Sequence, residues 1–324
     1  MNSVIEGFSS VVEQINRSKQ EVGRVIVGQE ELIDALYMGV LTGGHILLEG
    51  LPGLAKTLSV ATVAETLSVQ FQRVQFTPDL LPSDLIGTMI FNPSKSEFDT
   101  KKGPIFTNLL LADEINRAPA KVQSALLEAM AEKQVTIGDT THILDRPFLV
   151  LATQNPVEQE GTYSLPEAQL DRFMFKVIVD YPTKDEELQI LKRVALASEH
   201  IVERVLNKEQ ILACQSKLNE MKFDESLQTY IVQLVYATRK PADYGLEHLE
   251  SFIRIGASPR ATLSLVKAAK ACAFLEGRDY VTSEDVKKVV PMVLRHRLIL
   301  SFEAHAEGVT SEEIIQEILG AVEI

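Results

Sequence analysis

Short apolar runs that alternate with longer helical stretches constrain the fold of residues 45–181 more than any other feature of the chain. Two of the runs, NLLLA and FLVLA, are almost continuously apolar, which is typical of strands buried on both faces of a parallel sheet. The predicted strands are HILLE (45–49), FQRVQF (71–76), NLLLAD (108–113), FLVLAT (148–153) and FMFKVIV (173–179). The alternation predicts an α/β fold in which helices cover a parallel sheet.

Beyond Tyr181-Pro182 the pattern changes to helices, and no strand is predicted. Thr183 and Glu186 have the spacing of a capping box at the start of the first of these helices. Further helices are predicted at about 208–220, 224–239, 258–276 and 282–299. Because 324 residues are enough for two cores, we predict an αβα domain over residues 1–181 and an all-helical domain over residues 182–324.

Two segments interrupt the plain alternation of strands and helices. Residues 77–106 form a long connection that is rich in proline, glycine and serine, and a connection of this length in a compact domain is usually functional or locally structured. Residues 135–144, VTIGDTTHIL, alternate apolar and polar residues around Gly138-Asp139, which predicts a β-hairpin. Both segments are therefore predicted to be insertions with their own structure.

The segment GLPGLAKT, residues 50–57, lies between the first predicted strand and a helix, where a phosphate-binding loop is expected. It departs from G-x-x-x-x-G-K-[ST] because Ala55 replaces the second glycine. We expect Ala55 to have already entered a right-handed helix, in which alanine is favoured. Lys56 would bind the phosphates, and the Thr57 hydroxyl would bind Mg²⁺. The predicted phosphate-binding residues are Gly50, Leu51, Pro52, Gly53, Leu54, Ala55, Lys56 and Thr57.

Two adjacent carboxylates follow the strand LLLA. Asp113, at the end of the strand, is predicted to hold Mg²⁺ through water, and Glu114 is predicted to orient and polarise the attacking water. The alternative is an ordinary acidic strand end that faces solvent. The four apolar residues before the pair and the phosphate-binding loop upstream favour the catalytic interpretation.

The overall charge and the residue types disfavour several classes of protein. The net charge of −13 disfavours a protein covered with nucleic-acid phosphates. The two cysteines, Cys214 and Cys272, are far apart, so buried thiols in a reducing compartment are expected. No run approaches the ~18 consecutive apolar residues of a membrane span. The N-terminus has helical periodicity and no features of a signal peptide, so we expect a cytoplasmic protein without direct membrane insertion.

Five motifs, in this order, resemble those of the MoxR family of AAA+ ATPases: GLPGLAKT, LLLADEINRAP, LATQNP, LPEAQLDRF and GASPRA. The resemblance covers residues 25 to 300, and alanine before the lysine is common in that family. It implies a P-loop NTPase with a three-layer αβα domain, a parallel sheet and an all-helical lid domain. The family belongs to the AAA+ branch that carries a helix-2 insert and a pre-sensor-1 hairpin, as magnesium chelatase and MCM helicases do. Segments 77–106 and 135–144 fall where those insertions belong.

The same resemblance implies roles for three further residues and two cofactors, ATP and Mg²⁺. Asn155 in LATQN matches the sensor-1 residue, and Arg172 in LDRF matches the arginine finger offered to a neighbouring subunit. The alternative for Arg172 is a salt bridge to Asp171 or Glu167. Arg260 in SPRA matches sensor 2, and whether it would act on its own subunit's nucleotide or a neighbour's stays open.

The predicted position of Arg260 gives an independent argument about its partner. Ser258 is predicted to be an N-cap and Pro259 the first helical residue, so Arg260 would lie in the first turn of the helix. A cation there is unfavourable by ~0.3–1 kcal/mol unless an anion is close. A nucleotide phosphate would be such an anion, and a solvated arginine is the alternative.

By the resemblance, the chain would form a homo-oligomeric ring, predicted to be a hexamer, that hydrolyses ATP. It would drive chaperone-like remodelling, maturation or metal insertion of client protein complexes with a von Willebrand factor A-domain adaptor. The first alternative is a nucleic-acid motor like the MCM helicases. The hairpin VTIGDTTHIL disfavours it, because it contains no lysine or arginine. The second alternative is a nucleotide-dependent scaffold that does not hydrolyse ATP.

Overall fold

The computed structural model describes residues 2–51, 53–94, 96–155, 163, 165–195 and 201–324. The central element is a sheet with the strand order β2-β5-β8-β1-β9, in which β2 pairs with β5, β5 with β8, and β8 with β1, all in parallel. Its strands are β1 (Ile46–Gly50), β2 (Phe71–Gln75), β5 (Leu109–Asp113), β8 (Leu149–Gln154) and β9 (Phe175–Val179). The sheet confirms the predicted α/β fold.

The remaining strands form three small antiparallel pairs. They are β3 (Gly87–Asn92) with β4 (Glu97–Lys102), β6 (Gln134–Ile137) with β7 (Thr140–Ile143), and β10 (Ile253–Ile255) with β11 (Ile299–Leu300). The first two pairs lie within the two predicted insertions. The third pair is a difference from the sequence prediction, which had no strand after residue 182. Strands of three and two residues are too short to produce a periodic pattern.

Thirteen α-helices occur in the part of the chain that the structure describes. They are α1 (Asn2–Val25), α2 (Glu30–Thr42), α3 (Lys56–Thr66), α4 (Pro82–Ile86), α5 (Ala120–Glu132), α6 (Glu167–Leu170), α7 (Lys184–Ala195), α8 (Lys208–Glu220), α9 (Glu225–Ala237), α10 (Pro259–Leu275), α11 (Ser283–Leu294), α12 (Phe302–Glu307) and α13 (Ser311–Ala321). None of these helices is long and apolar enough to cross a membrane.

The chain divides into two compact units, and neither is a single stretch of sequence. The unit called here the sheet unit comprises Glu13–Leu165 and Val177–Ala213. The unit called the helical unit comprises Met1–Val12, Pro166–Lys176 and Cys214–Ile324. The short stretch Pro166–Lys176 thus belongs with the C-terminal helices. The predicted boundary between residues 181 and 182 stays a prediction.

The two inner strands β5 and β8 are the most deeply buried part of the sheet unit. Leu109, Leu110, Leu111 and Ala112 are at most 1% exposed, as are Leu149 to Thr153. This explains their continuous apolar sequences, because both faces of the strands are covered. Both ends of these strands are therefore fixed, and the polar residues that follow them have defined positions.

Cys214 in α8 and Cys272 in α10 are both free thiols and both buried, as predicted. Burial raises the pKa of Cys214 to about 11 and that of Cys272 to about 12. Neither position has the character of a reactive or metal-binding cysteine.

Candidate functional site

A cleft of about 410 Å³ lies at the carboxyl ends of strands β1, β2, β5 and β8. Ligands of open α/β sheets characteristically bind at this edge. Its lining residues are Gly50, Gly53, Leu54, Ala55, Lys56, Thr57, Leu58, Arg73, Gln75, Asp113, Glu114, Thr153 and Asn155. The structure thus brings together most of the residues predicted from three separate motifs.

The remaining predicted site residues lie elsewhere. Leu51 is described but does not line the cleft, and Pro52 lies outside the described residues. Arg172 and Arg260 belong to the helical unit.

The segment between β1 and α3 forms a loop whose backbone takes two left-handed conformations. Gly53 has a φ of 85°, which glycine adopts without a steric penalty. The Lys56 ammonium group donates a hydrogen bond to the carbonyl oxygen of Gly50 at 2.8 Å, across the loop. Burial lowers the pKa of Lys56 from its ordinary value, and the charges of Asp113 and Glu114 oppose this effect.

Ala55 does not lie in the right-handed helix, so that expectation is wrong. It has φ 55° and ψ 17°, which is the left-handed region, and α3 begins only at Lys56. The loop must reverse direction immediately before the helix, and this requirement outweighs the local preference of alanine. A non-glycine residue in this conformation costs about 1–2 kcal/mol. Ala55 is therefore a strained position next to the lysine of the loop.

Asp113, the last residue of β5, is held by side chains from both neighbouring strands. Arg73 of β2 donates to Asp113 Oδ2 from Nη2 at 2.6 Å and from Nε at 3.1 Å. The Thr153 hydroxyl of β8 donates to Asp113 Oδ1 at 2.6 Å. Both carboxylate oxygens therefore have protein donors, and Arg73 is the donor that is partly exposed and can move away.

Glu114 follows with a φ of 56° and a ψ of 52°, which turns its side chain away from the course of β5. Its backbone N–H donates to the Thr153 hydroxyl at 2.8 Å. Gln75 Nε2, at 2.8 Å, and Arg117 Nη1, at 3.0 Å, both donate to Glu114 Oε2. The carboxylate is thus aimed at the cleft and is held through one of its two oxygens.

The sequence predictions missed Arg73, Gln75 and Thr153. Their positions follow from the parallel register, in which Gln75 is paired with Asp113 and Leu111 with Leu151. The one available signal was a polar residue at the carboxyl end of a predicted strand, as in FQRVQF and FLVLAT. Asn155, which directly follows β8, had that signal and does line the cleft.

The oxygen atoms in the cleft fit a magnesium–nucleotide complex. The Thr57 hydroxyl and the Asp113 carboxylate both line it, and Mg²⁺ prefers oxygen ligands together with water and phosphates. Among the described residues, no group of three or more His, Cys, Asp or Glu side chains could hold a metal ion. A metal at this site would accordingly depend on phosphate oxygens for part of its coordination.

Arg260 lies at the start of α10, as predicted. Ser258 is the N-cap, Pro259 is the first helical residue, and the Ser258 hydroxyl accepts a hydrogen bond from the Arg260 N–H at 3.2 Å. An anion is already close, because Arg260 Nη1 lies 3.8 Å from Asp171 Oδ2. The dipole argument therefore does not by itself require a phosphate at this position.

Arg172 is an exposed residue that follows the short helix α6. The two acids that could have paired with it have other arginine partners: Arg297 for Asp171, and Arg254 for Glu167. The structure places Arg172 and Arg260 in the same unit. Asp171 directly precedes Arg172 in the chain and is also the carboxylate close to Arg260.

Comparisons with known proteins agree with this architecture. Residues 45–175 match the model of the ATPase family associated with various cellular activities (AAA), and residues 247–318 match the AAA lid domain. The crystal structure of a protein from Cytophaga hutchinsonii superimposes with a TM-score of 0.95 at 56% identity, covering 100% of this chain and 98% of that one.

Two curated relatives carry the name of the family. The chain is 48% identical over 317 residues to Chaperone MoxR1 of Mycobacterium tuberculosis, which covers 98% of this chain and 84% of that protein. It is 35% identical over 301 residues to Protein MoxR of Paracoccus denitrificans, which covers 86% of each. The resemblance seen in the motifs is thus confirmed over the length of the chain, and this protein belongs to the MoxR family of AAA ATPases.

Proposed function

We propose that this protein hydrolyses ATP to ADP and phosphate and uses the energy for chaperone-like remodelling of client protein complexes. One observation carries the proposal: Lys56, Thr57, Asp113, Glu114 and Asn155 come from three separate chain segments and line one cleft. A nucleotide-dependent scaffold without hydrolysis would not need a carboxylate held at the position of Glu114.

In this proposal the loop of residues 50–57 binds the phosphates. Backbone N–H groups of the loop and of the first turn of α3 would donate hydrogen bonds to phosphate oxygens, and the positive end of the helix would add to the attraction. Lys56 would exchange its hydrogen bond with the Gly50 carbonyl for phosphate oxygens, whose charge raises its pKa again. Thr57 and Asp113 would hold Mg²⁺, which neutralises charge on the phosphate oxygens when bound.

Glu114 would act on the attacking water. Since Gln75 and Arg117 both donate to Oε2, the other oxygen can accept a hydrogen bond from a water molecule without breaking either contact. A carboxylate in that position orients the water and takes up part of its developing positive charge. Asn155, which directly follows the neighbouring strand β8, would position the same water or the terminal phosphate.

We further propose that the sites are completed between subunits of a homo-oligomeric ring, most simply a hexamer. Arg172 would reach the nucleotide of the next subunit and stabilise the charge of the transferred phosphoryl group, as arginine fingers do. Arg260 would bind phosphate as well. A von Willebrand factor A-domain adaptor would select the client, whose maturation could include metal insertion. The Mycobacterium tuberculosis relative is named a chaperone, which supports the chaperone-like role by similarity.

A subunit-mixing experiment tests the proposal. Glu114→Gln removes the carboxylate, and Arg172→Ala removes the arginine, so each variant alone should hydrolyse ATP at least roughly a hundredfold more slowly than the unmodified protein. In mixed rings, some interfaces combine an intact Glu114 with an intact Arg172. We expect the mixture to recover a substantial part of the activity, and each variant to stay inactive at every concentration.

The outcomes separate the parts of the proposal. An unmodified protein that binds ATP and does not hydrolyse it in any oligomeric form would contradict the ATPase assignment. Inactive mixtures, despite subunit exchange shown by fluorescence transfer between labelled subunits, would contradict the role of Arg172 between subunits. Unchanged activity of Glu114→Gln would contradict the role of Glu114.

A further inference from the structure

Arg297 is a buried cation of the helical unit that no part of the proposed mechanism uses. Its side chain is only 2% exposed. Nε donates to Asp171 Oδ1 at 2.7 Å, and Nη2 donates to the carbonyl oxygen of Phe173 at 2.7 Å. Nη1 donates to the carbonyl oxygen of Met174 at 3.1 Å and to that of Val293. Arg297 therefore binds the chain on both sides of Arg172.

The two residues before Arg297 make contacts of the same kind. His296 Nε2 lies 2.9 Å from the Phe173 carbonyl oxygen. Because burial lowers the pKa of His296 well below its ordinary value, the ring is neutral, and Nε2 carries the proton that it donates. Arg295 Nη1 donates to the carbonyl oxygen of Lys176 at 3.1 Å. Three successive residues thus hold the main chain of residues 171–176.

Asp171 extends this network to the start of α10. It accepts a hydrogen bond from the Ser258 hydroxyl at 2.9 Å, and Arg260 lies 3.8 Å away. Every one of these contacts lies within the helical unit. A buried guanidinium is tolerated only when its charge and its donors are satisfied, so the network fixes the relative positions of its members closely.

We infer that Arg297 is a positioning residue for ATP hydrolysis, which fixes Arg172 through Asp171 and the carbonyl groups of Phe173 and Met174. The inference rests on the proposed function and adds a regulatory consequence to it. Because Arg172 is anchored to α10 and α11, any displacement of these helices displaces Arg172 as well. The state of the lid would then set the rate at the nucleotide that Arg172 serves.

The test compares Arg297→Gln with a matched control, Arg278→Gln. Arg278 also belongs to the helical unit and also makes an ion pair, here partly buried, with bonds of 2.6 and 2.7 Å to the two oxygens of Asp285. Among the residues that the structure describes, Arg278 forms no hydrogen bond or ion pair with residues 171–176. Each change is made in the full-length protein and again together with Arg172→Ala. The measurements are kcat, KM for ATP, the oligomeric state and the melting temperature.

We expect Arg297→Gln to lower kcat at least roughly tenfold with KM changed less than about twofold, since Arg172 acts on the transition state. Added to Arg172→Ala, it should lower kcat no further, because the residue through which it acts is gone. Arg278→Gln should lower the melting temperature comparably and leave kcat within about twofold. Should Arg297→Gln not fold, Arg297→Lys keeps the charge beside Asp171 and cannot reach the carbonyl groups together, and it is then compared in the same way.

Two results would overturn the inference while ATP hydrolysis itself stands. In one, Arg297→Gln lowers kcat by the same factor whether or not Arg172 is present. In the other, it affects kcat no more than Arg278→Gln does. An unmodified protein without ATP hydrolysis would instead contradict the proposed function, and the inference with it.

Discussion

The buried His45 should make the stability of the sheet unit depend on pH in a way that one substitution removes. The ring lies between β8 and α5, where Nδ1 accepts a hydrogen bond from the Val150 N–H at 3.0 Å and Nε2 lies 3.1 Å from the Met130 carbonyl oxygen. Nδ1 is thus an acceptor, and Nε2 carries the proton. Burial lowers the pKa of His45 from 6.5 to about 4, because a charged ring would be desolvated.

The pH dependence of the free energy of unfolding follows from the difference between the pKa of His45 in the folded and in the unfolded protein. Above pH 6.5 the ring is neutral in both the folded and the unfolded protein, and its contribution to stability is complete. As the pH falls, only the unfolded chain binds the proton, so the free energy of unfolding decreases by about 1.4 kcal/mol for each pH unit. The loss reaches ~2 kcal/mol at about pH 5 and ~3 kcal/mol at about pH 4, where the folded protein binds the proton too.

The assay is urea unfolding, followed by circular dichroism between pH 8 and pH 5, of the unmodified protein and of His45→Gln. Glutamine can still donate to the Met130 carbonyl and does not titrate in this range. The variant should be less stable at pH 8 by roughly 1–3 kcal/mol, because the Val150 N–H loses its acceptor. This difference should shrink by ~2 kcal/mol by about pH 5. The carboxylates contribute equally to both proteins and cancel in the comparison.

His305→Gln is the matched control, because it removes an exposed histidine and keeps His45, so the pH dependence that His45 produces should remain. A difference between His45→Gln and the unmodified protein that stays constant from pH 8 to pH 5 would refute the reasoning. It would mean that the folded protein accommodates a charged ring at position 45.

Three further substitutions probe the cleft. Ala55→Gly should raise the free energy of unfolding by ~0.5–1 kcal/mol, since the strain relieved exceeds the entropy that glycine adds to the unfolded chain; urea titration that shows a loss would contradict the strained conformation. Thr153→Val should cost about 1–3 kcal/mol in the same titration, because it leaves the Glu114 N–H without its acceptor. Arg73→Gln should change the free energy of unfolding by less than about 1 kcal/mol. It should also tighten Mg²⁺ binding in the presence of ATP several-fold, because Asp113 loses a competing cation. Weaker Mg²⁺ binding in calorimetry would instead mean that Arg73 binds the nucleotide.

The sequence predicted the sheet well because its central strands are buried on both faces. NLLLAD and FLVLAT were expected at 108–113 and 148–153, and the strands are Leu109–Asp113 and Leu149–Gln154. A run of apolar residues is visible within a short stretch of sequence, so a buried strand of this kind can be predicted without knowledge of the rest of the fold. Asp113, at the end of such a strand, could be assigned to the site for the same reason, whereas Asn155 was assigned through the resemblance to the MoxR family.

The parts that escaped prediction depend on partners that are distant in sequence. Arg73 meets Asp113, 40 residues later, and Arg297 meets Asp171, 126 residues earlier. Nothing in the neighbourhood of either arginine specifies these pairs, which exist only once the register and the packing are set. The prediction of the conformation of Ala55 failed for a related reason, because the closure of the loop overrides the helical preference of a single alanine.

The two buried thiols of the helical unit provide a way to observe its opening. At about pH 8, a thiol with the pKa of Cys214 is ionised to roughly one part in a thousand, and one with the pKa of Cys272 to roughly one in ten thousand. A disulfide reagent should therefore react with the folded protein only when α8 or α10 separates from its surroundings. The rate of labelling is then a measure of those openings, and comparing it with and without nucleotide would show whether nucleotide stabilises the packing of the helical unit.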